Sequence, residues 1–292
     1  MSYYKILELK KEPFSTSPDP DFFYESREHE KALTNLIIEL RLKRGLSVIL
    51  GDVGTGKTTL SRKLCQILNT RDDIIFHMVL NPNFSDERLF LRSIIRNFDI
   101  NVPTDKDADV LDLMEGIEKF LFTKTIEEKK TVVVLIDEAQ TLRHQTMESL
   151  RLLLNFETNE YKLLQVIMLG QMELHSKIME IPNFLDRISF KYTLNPLDLE
   201  ETREMIEFRI RQAGYAGRMQ FFLEEAIREI HRYTGGYPRK VGMLCHKALK
   251  TLVLKNKVVV DKRLIGAIID EEVRQGWSKT TTAPVLLQKS NY

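Results

Sequence analysis

One ten-residue stretch, GDVGTGKTTL at positions 51–60, restricts the folds open to this chain more than any other part of the sequence. Four of its residues match the pattern G-x-x-x-x-G-K-[ST]: Gly51, Gly56, Lys57 and Thr58. The apolar run LSVIL precedes the stretch, and a run with helical character follows it through about Leu68. The alternative is a glycine-rich turn with a chance lysine, but this context favours a strand, a phosphate-binding loop and a helix.

The chemistry of phosphate explains this spacing. Backbone N–H groups of such a loop wrap the phosphate, glycines let the backbone come close, and the helix N-terminus adds a positive field. Lys57 is expected to reach the terminal phosphates, and the Thr58 hydroxyl to hold Mg²⁺. The predicted nucleotide-binding loop consists of Gly51, Asp52, Val53, Gly54, Thr55, Gly56, Lys57, Thr58 and Thr59.

Apolar runs of strand length alternate with helix-like segments on both sides of this loop. The predicted strands are 46–50, 74–81, 131–136, 163–171 and 188–194. Continuous apolar strands that alternate with helices are typical of a parallel sheet covered on both faces. After Asn195-Pro196 the pattern changes to four helix-like segments, at about 198–213, 219–233, 238–255 and 261–274. We therefore predict an α/β core with a parallel five-stranded sheet, followed by a small all-helical domain.

The predicted organisation has four parts: an N-terminal arm (1–25), the nucleotide-binding core (26–196), the helical domain (197–275) and a polar tail (276–292). The arm is rich in proline and serine and is expected to be extended or turn-rich. The composition of the tail predicts disorder. Ser26 and Ser85 are predicted to cap helices, and Gly45 to end the first of them.

The composition is that of an ordinary globular protein. The net charge is +1 over 292 residues, so any attraction to nucleic acid or membrane must come from a local patch. Cys65 and Cys245 both lie in apolar helical contexts, which predicts reduced core residues. No run approaches the roughly 20 apolar residues of a membrane span, and the N-terminus has no apolar signal region, so we expect a cytoplasmic protein.

An acidic pair follows the third predicted strand. Asp137 and Glu138 come directly after the apolar run TVVVLI. Their carboxylates are expected at the carboxyl edge of the sheet, where ligands bind in such folds. Asp137 is placed to support Mg²⁺, and Glu138 to act as a general base on the attacking water. The alternative is that the pair merely caps the next helix.

Three further residues are candidates for catalysis. Gln171 ends the fourth predicted strand, where a polar side chain could position water or contact the terminal phosphate. Arg187 precedes the last strand, and Arg239 lies in the constrained turn GGYPRKV. A phosphoryl-transfer site gains about 10³–10⁵ in rate from an arginine on the developing charge. Taken alone, Gln171 could be a plain residue at a strand end, and each arginine a surface residue.

With these motifs in order, the chain resembles the AAA+ ATPases, and within them the ExeA/GspA-like group. The resemblance extends to about residue 272. It rests on PFSTSPDPDFFYESREHEKAL, GDVGTGKTTL, VVVLIDEAQTL, LRLLLNFET, LLQVIMLGQMEL, LDRISFKYTLNPL and GGYPRKVGMLCHKAL. Secretion-type members of the group often continue into a membrane span and a cell-wall-binding domain. This chain departs from them in its polar tail, so we expect neither property here.

The resemblance implies a role for each candidate. The loop from Gly51 to Thr59 would be the Walker A motif, Asp137 and Glu138 the Walker B pair, and Gln171 the sensor-1 residue. Arg187 looks like an arginine finger donated to a neighbour's ATP, and Arg239 like the sensor-2 arginine of a helical lid. The group also implies ATP with Mg²⁺, and assembly into a ring or filament. The resemblance would also place three residues of the arm near the adenine: Pro13, Phe14 and Tyr24.

The biological purpose admits three hypotheses. The resemblance favours an assembly or motor ATPase of a type II secretion, pilus or export system, peripheral to the inner membrane through a membrane-protein partner. A DNA-associated ATPase that partners a transposase is the alternative, because the segment 239–263 is basic, although a solvated helix face together with the sensor arginine explains this charge more simply. Its charged residues are Arg239, Lys240, Lys247, Lys250, Lys255, Lys257, Lys262 and Arg263 against Asp261. The third is a slow nucleotide-dependent switch.

Overall fold

The computed structural model describes residues 2–15, 19–102, 109–217 and 220–276. They form two compact units. The sheet unit is Glu25–Asn195, and the helical unit combines the described residues of Met1–Tyr24 with those of Pro196–Tyr292. The arm therefore belongs to the helical unit and is not a separate segment. The predicted tail, apart from Gly276, lies outside the described residues.

The sheet unit contains five strands: β1 (Leu46–Gly51), β2 (Ile74–Val79), β3 (Thr131–Ile136), β4 (Leu164–Gly170) and β5 (Ile188–Leu194). Their order in the sheet is β2-β3-β4-β1-β5, and every neighbouring pair is parallel. Every residue of β1, β3 and β4 is buried, as expected of strands covered on both faces. The predicted α/β fold is confirmed.

The helices, in chain order, are α1 (Tyr3–Ile6), α2 (Arg27–Leu42), α3 (Lys57–Leu68), α4 (Glu87–Asn97), α5 (Val110–Phe122), α6 (His144–Leu153), α7 (Met172–Met179), α8 (Leu199–Gln212), α9 (Glu224–Thr234), α10 (Pro238–Leu254) and α11 (Lys262–Arg274). Two short helices, α1 and α7, were not predicted. None of the described helices combines the length and the apolar character that crossing a bilayer requires.

The helix ends follow capping chemistry, with two corrections. Ser26 caps α2 as predicted, because its hydroxyl oxygen accepts a hydrogen bond from the backbone N–H of His29. Asp86, and not Ser85, caps α4: its carboxylate accepts from the N–H of Leu89 at 2.9 Å. Helix α2 ends at Leu42, three residues before the predicted stop at Gly45, and Lys43 after it has the left-handed conformation.

One face of the sheet packs on α4, α5, α6 and α7. Alternate strand residues point to this face, and Val132, Val134 and Ile136 of β3 are completely buried there. Phe90 of α4 and Leu150 of α6 are equally inaccessible. Burial of this apolar surface, at roughly 25 cal/mol per Å², holds the sheet against its helices and fixes the positions of the strand ends.

The N-terminal arm contributes side chains to the core of the helical unit. Leu9, Phe14 and Phe22 are buried among the residues of α8 to α11. Phe14 is 1% exposed, and its ring meets the edge of Phe222 at a centroid distance of 6.1 Å. The ring of Phe14 is part of this core, and its place near an adenine stays a prediction. The expected extended arm instead carries α1 and a 3-10 turn at Pro20–Phe22.

Truncation of this buried ring is expected to destabilise the helical unit. We predict that Phe14→Ala lowers its stability by about 3–5 kcal/mol, through lost burial and a residual cavity. Hydrogen exchange of the α9 and α10 amides measures this loss of protection. The control Phe122→Ala, at a ring that is 51% exposed, should cost less than about 1 kcal/mol. Unchanged protection in Phe14→Ala would contradict the role of the arm.

Candidate nucleotide-binding and hydrolysis site

The sheet register brings three sequence motifs to one edge. Strand β4 lies between β3 and β1, with Ile136 opposite Met168 and Leu50 opposite Gly170. Because all three strands are parallel, their carboxyl ends meet at the same edge. The loop after β1, the acidic pair after β3 and the glutamine after β4 are therefore neighbours.

The loop after β1 takes the shape that its glycines permit. Gly54 and Gly56 have φ values of 87° and 100°, in the left-handed region that side chains disfavour. The hydroxyl and the N–H of Thr55 both donate to the carbonyl of Asp52, at 2.9 and 3.3 Å, and close the turn. Gly56 precedes α3 and has no side chain to cap it, so Gly56 leaves the first N–H groups of α3 available to an anion.

Lys57 lies inside this loop. Its side chain is 6% exposed, and its ammonium donates to the carbonyls of Gly51 and Asp52 at 2.7 and 2.9 Å. Burial lowers the pKa of the Lys57 ammonium, and the carboxylates of Glu138 and Asp137 oppose that shift. The lysine and the acidic pair therefore lie near enough to each other to interact electrostatically.

Asp137 and Thr58 form a pair of oxygen donors. Asp137 is 1% exposed, and burial raises the pKa of its carboxyl. A hydrogen bond from the Thr58 hydroxyl and one from the N–H of Glu138, at 3.0 Å, oppose that shift. A carboxylate and a hydroxyl are hard ligands, and Mg²⁺ is commonly held by one or two protein oxygens together with phosphates. These residues fit Mg²⁺, although the described residues contain no cluster of three or more His, Cys, Asp or Glu side chains.

Glu138 is held in a network with two glutamines. Its backbone is left-handed, with φ 52°, which is costly for a residue with a side chain. The amide nitrogens of Gln140 and Gln171 both donate to Oε2 of Glu138, at 2.5 and 3.4 Å. The N–H of Gln171 donates to Oε1 of Gln140 at 3.1 Å. Glu138 and Gln171 were predicted from the sequence as site residues, whereas Gln140 was not.

His29 is a second residue that the sequence analysis missed. It is 2% exposed in the first turn of α2, and its Nε2 lies 2.9 Å from the carbonyl of Thr55 in the phosphate-binding loop. Because a carbonyl only accepts, Nε2 carries the proton, and Nδ1 accepts from the Ser26 hydroxyl at 2.6 Å. A Cβ on Gly56 would lie 2.7 Å from Nε2, so the ring packs directly against the loop.

Arg187 lies at the other end of the sheet. It directly precedes β5, whose first residue, Ile188, is opposite Leu46, whereas Leu194 is opposite Gly51. At about 3.3 Å per residue, the length of β5 separates Arg187 from the loop edge by roughly 20 Å. Arg187 therefore lies far from the other predicted site residues of the sheet unit, which are at the carboxyl edge of the sheet.

Arg239 belongs to the helical unit, in the first turn of α10, and is exposed. The turn before it is constrained as expected: Gly236 has φ 73°, and a Cβ there would lie 2.0 Å from the carbonyl oxygen of Leu197. Elsewhere in the basic segment 239–263, Lys247 pairs with Glu272 at 2.5 Å and Lys257 with Asp261 at 3.3 Å. These pairs reduce the positive charge that the segment presents.

The buried imidazole of His29 predicts acid sensitivity. Burial lowers the pKa of His29 from 6.5 to about 4, against the opposing effect of its bond to Thr55. Between these two pH values the unfolded chain binds a proton that the folded chain does not, so stability falls as the pH falls. We expect a loss of about 2 kcal/mol between pH 7 and pH 5 that His29→Gln removes.

Denaturant unfolding at a series of pH values measures this loss. The control is His144→Gln, at an exposed histidine of α6, which should keep the acid sensitivity of the parent chain. Equal pH dependence in His29→Gln and the parent chain would contradict a neutral His29 in the folded state.

Comparison with known proteins agrees with this geometry. Residues 40–178 match the family described as AAA domain. The chain is 38% identical to general secretion pathway protein A of Aeromonas hydrophila over 249 residues, which is 85% of this chain and 44% of that protein. It spans less than half the length of the curated relatives it matches, at 44%, 38% and 40%.

Solved structures share the fold at low sequence identity. The ORC2 protein of Aeropyrum pernix in its ADPNP-ADP complexes matches 85% of this chain and 67% of its own, with TM-score 0.59 and 17% identity. Cdc6p of Pyrobaculum aerophilum matches 83% and 68%, with TM-score 0.62 and 16% identity. The sheet order and the loop after β1 agree with these matches: residues 40–178 match the AAA domain, and 85% of the chain resembles general secretion pathway protein A.

Proposed function

We propose that the chain binds ATP with Mg²⁺ and hydrolyses it to ADP and phosphate. The observation that carries the proposal is the position of Glu138. A carboxylate directly after the buried Asp137 lies at the same sheet edge as a phosphate-binding loop. A protein that only binds nucleotide needs the loop, whereas cleavage at a useful rate also needs a base for the attacking water.

The loop and the buried lysine carry the binding step. The N–H groups of the loop and the N-terminus of α3 hold the phosphates, and the Lys57 ammonium moves from loop carbonyls to the terminal phosphates. Thr58 and Asp137 hold Mg²⁺, which neutralises charge on the phosphates when it is bound. Asp52, Val53, Gly54, Thr55 and Thr59 complete the cradle around the phosphates.

Glu138 carries the cleavage step. Water attacks the γ-phosphorus while Glu138 accepts its proton, and the bond from the γ-phosphorus to the bridging oxygen breaks to release ADP. Gln171, at the end of β4, reaches the same carboxylate and is proposed to position the attacking water. The reaction balances without any further reactant.

Two arginines complete the proposed mechanism. Because Arg187 lies at the opposite end of the sheet from its own loop, we propose that it acts on the ATP of an adjacent subunit. Hydrolysis then requires assembly, as in the ring or filament that the resemblance implies. Arg239 is proposed as the sensor-2 arginine that reaches the nucleotide from the helical unit.

In the cell, we propose that hydrolysis serves the assembly or operation of a type II secretion, pilus or export system, through a membrane-protein partner. The similarity to general secretion pathway protein A supports this role. The DNA-associated alternative depends on the basic segment, where ion pairs already neutralise two lysines.

Two substitutions separate ATP binding from cleavage. Lys57→Ala should lose ATP binding. Glu138→Gln should bind ATP at parental affinity and lower kcat by about 10²–10⁴-fold, because a neutral amide cannot accept the proton. Titration with ATP and phosphate-release assays measure the two steps, with Glu160→Gln at an exposed glutamate as the control. Parental turnover by Glu138→Gln would refute its role as base.

In cells, Lys57→Ala should also reduce export; unchanged export would refute the secretion role alone.

A mixing experiment tests the trans action of Arg187. Arg187→Ala should lower kcat by about 10³–10⁵-fold. Mixing it with the equally inactive Lys57→Ala chain should restore activity, because Lys57→Ala subunits supply the missing arginine to intact loops. Lys191→Ala, at an exposed lysine of β5, is the control and should be fully active. A mixture no more active than its two components would contradict the trans arrangement.

A further inference from the structure

We infer that Gln140 is a positioning residue that fixes the carboxylate of Glu138 for proton transfer. The inference rests on the proposed function and deepens it, because it assigns a role at the same site to a residue outside the Walker A and Walker B motifs. Gln140 is half-buried in the 3-10 turn Ala139–Thr141 that follows Glu138.

Both ends of the Gln140 amide are engaged. Its nitrogen donates to Oε2 of Glu138 at 2.5 Å, and its oxygen accepts from the backbone N–H of Gln171 at 3.1 Å. The partners determine which atom of the amide is the nitrogen and which is the oxygen, because a carboxylate only accepts hydrogen bonds and a backbone N–H only donates them. The amide therefore connects the proposed base, after β3, to the end of the neighbouring strand β4.

The backbone of the turn is fixed as well. The carbonyl of Gln140 accepts a hydrogen bond from the ammonium of Lys177 in α7, and the same ammonium donates to the carbonyl of Leu142 at 2.9 Å. A Cβ at Gly170 would lie 3.2 Å from Oε1 of Gln140, so the glycine leaves room for the amide. The Gln140 amide thus joins the residues that follow β3 and β4, and Lys177 of α7 fixes the turn that carries it.

The bridge leaves the two oxygens of Glu138 in different environments. Both amide donors, from Gln140 and Gln171, bind Oε2. No hydrogen bond within the described ranges reaches Oε1, which is therefore the oxygen that accepts the proton of the attacking water. A glutamate side chain otherwise has several rotamers, and misplacing a catalytic group by about 1 Å can cost 10²-fold in rate.

The direct test is Gln140→Met, which keeps the length of the side chain and removes both hydrogen-bonding groups. We expect kcat to fall about 10–100-fold, while the dissociation constant for ATP with Mg²⁺ changes less than about twofold. Gln145→Met, at an exposed glutamine of α6, is the matched control and should keep the parental kcat. Gln140→Asn, one methylene too short to bridge both partners, should reproduce the loss if the methionine variant folds poorly.

A double-mutant cycle separates positioning from bracing of the fold. In the Glu138→Gln background there is no carboxylate to position, so adding Gln140→Met should cause no further loss of kcat. An equal loss in both backgrounds, or a parallel loss of ATP affinity, would overturn the inference. So would a parental kcat in both Gln140 variants. A parent chain that cannot cleave ATP would instead refute the proposed function itself, and the inference with it.

Discussion

The parallel pairing of β4 with β3 on one side and β1 on the other is the constraint on which the candidate site depends. It places the ends of three strands, each distant in sequence from the others, at one edge of the sheet. The buried apolar residues of β1, β3 and β4 hold that register, because a slip by one residue would exchange the side chains that pack on the two covered faces of a strand. The chemistry of the site is thus located by hydrophobic packing, although no apolar side chain takes part in it.

Charged groups buried at this edge are the second determinant. Lys57 and Asp137 are nearly inaccessible to solvent. Burial lowers the pKa of the Lys57 ammonium and raises the pKa of the Asp137 carboxyl, so it favours the neutral form of each. Such burial is costly unless a partner of opposite charge is present, and phosphates with Mg²⁺ provide such partners for both. His29 contributes in a different way: as a neutral ring it packs beneath the loop and holds the Thr55 carbonyl. The site therefore combines groups that bind charge with a neutral support.

Local chemistry made much of this predictable. The loop, the acidic pair and the buried strands each consist of a few consecutive residues, so each could be predicted from a short stretch of sequence. The structure contains all of them. The sequence did not predict contacts made by the fold. His29 and Thr55 are 26 residues apart in the sequence, and Gln140 and Gln171 are 31 residues apart. These two contacts are therefore visible only once the sheet and α2 are in place. The contact between Phe14 and Phe222 was not predictable either, because the two residues lie far apart in the sequence. Ser85 and Asp86 are both good caps, and the choice between neighbours depends on where the first helical N–H groups point.

A single-turnover experiment tests most directly whether this edge is a centre for ATP cleavage. The protein is held in excess over ATP, at a concentration that favours assembly, and cleavage is followed after Mg²⁺ is added. The account predicts that all bound ATP is converted to ADP and phosphate, and that a chelator of Mg²⁺ stops the conversion. ATP that binds in the presence of Mg²⁺ but stays intact at every protein concentration would contradict it.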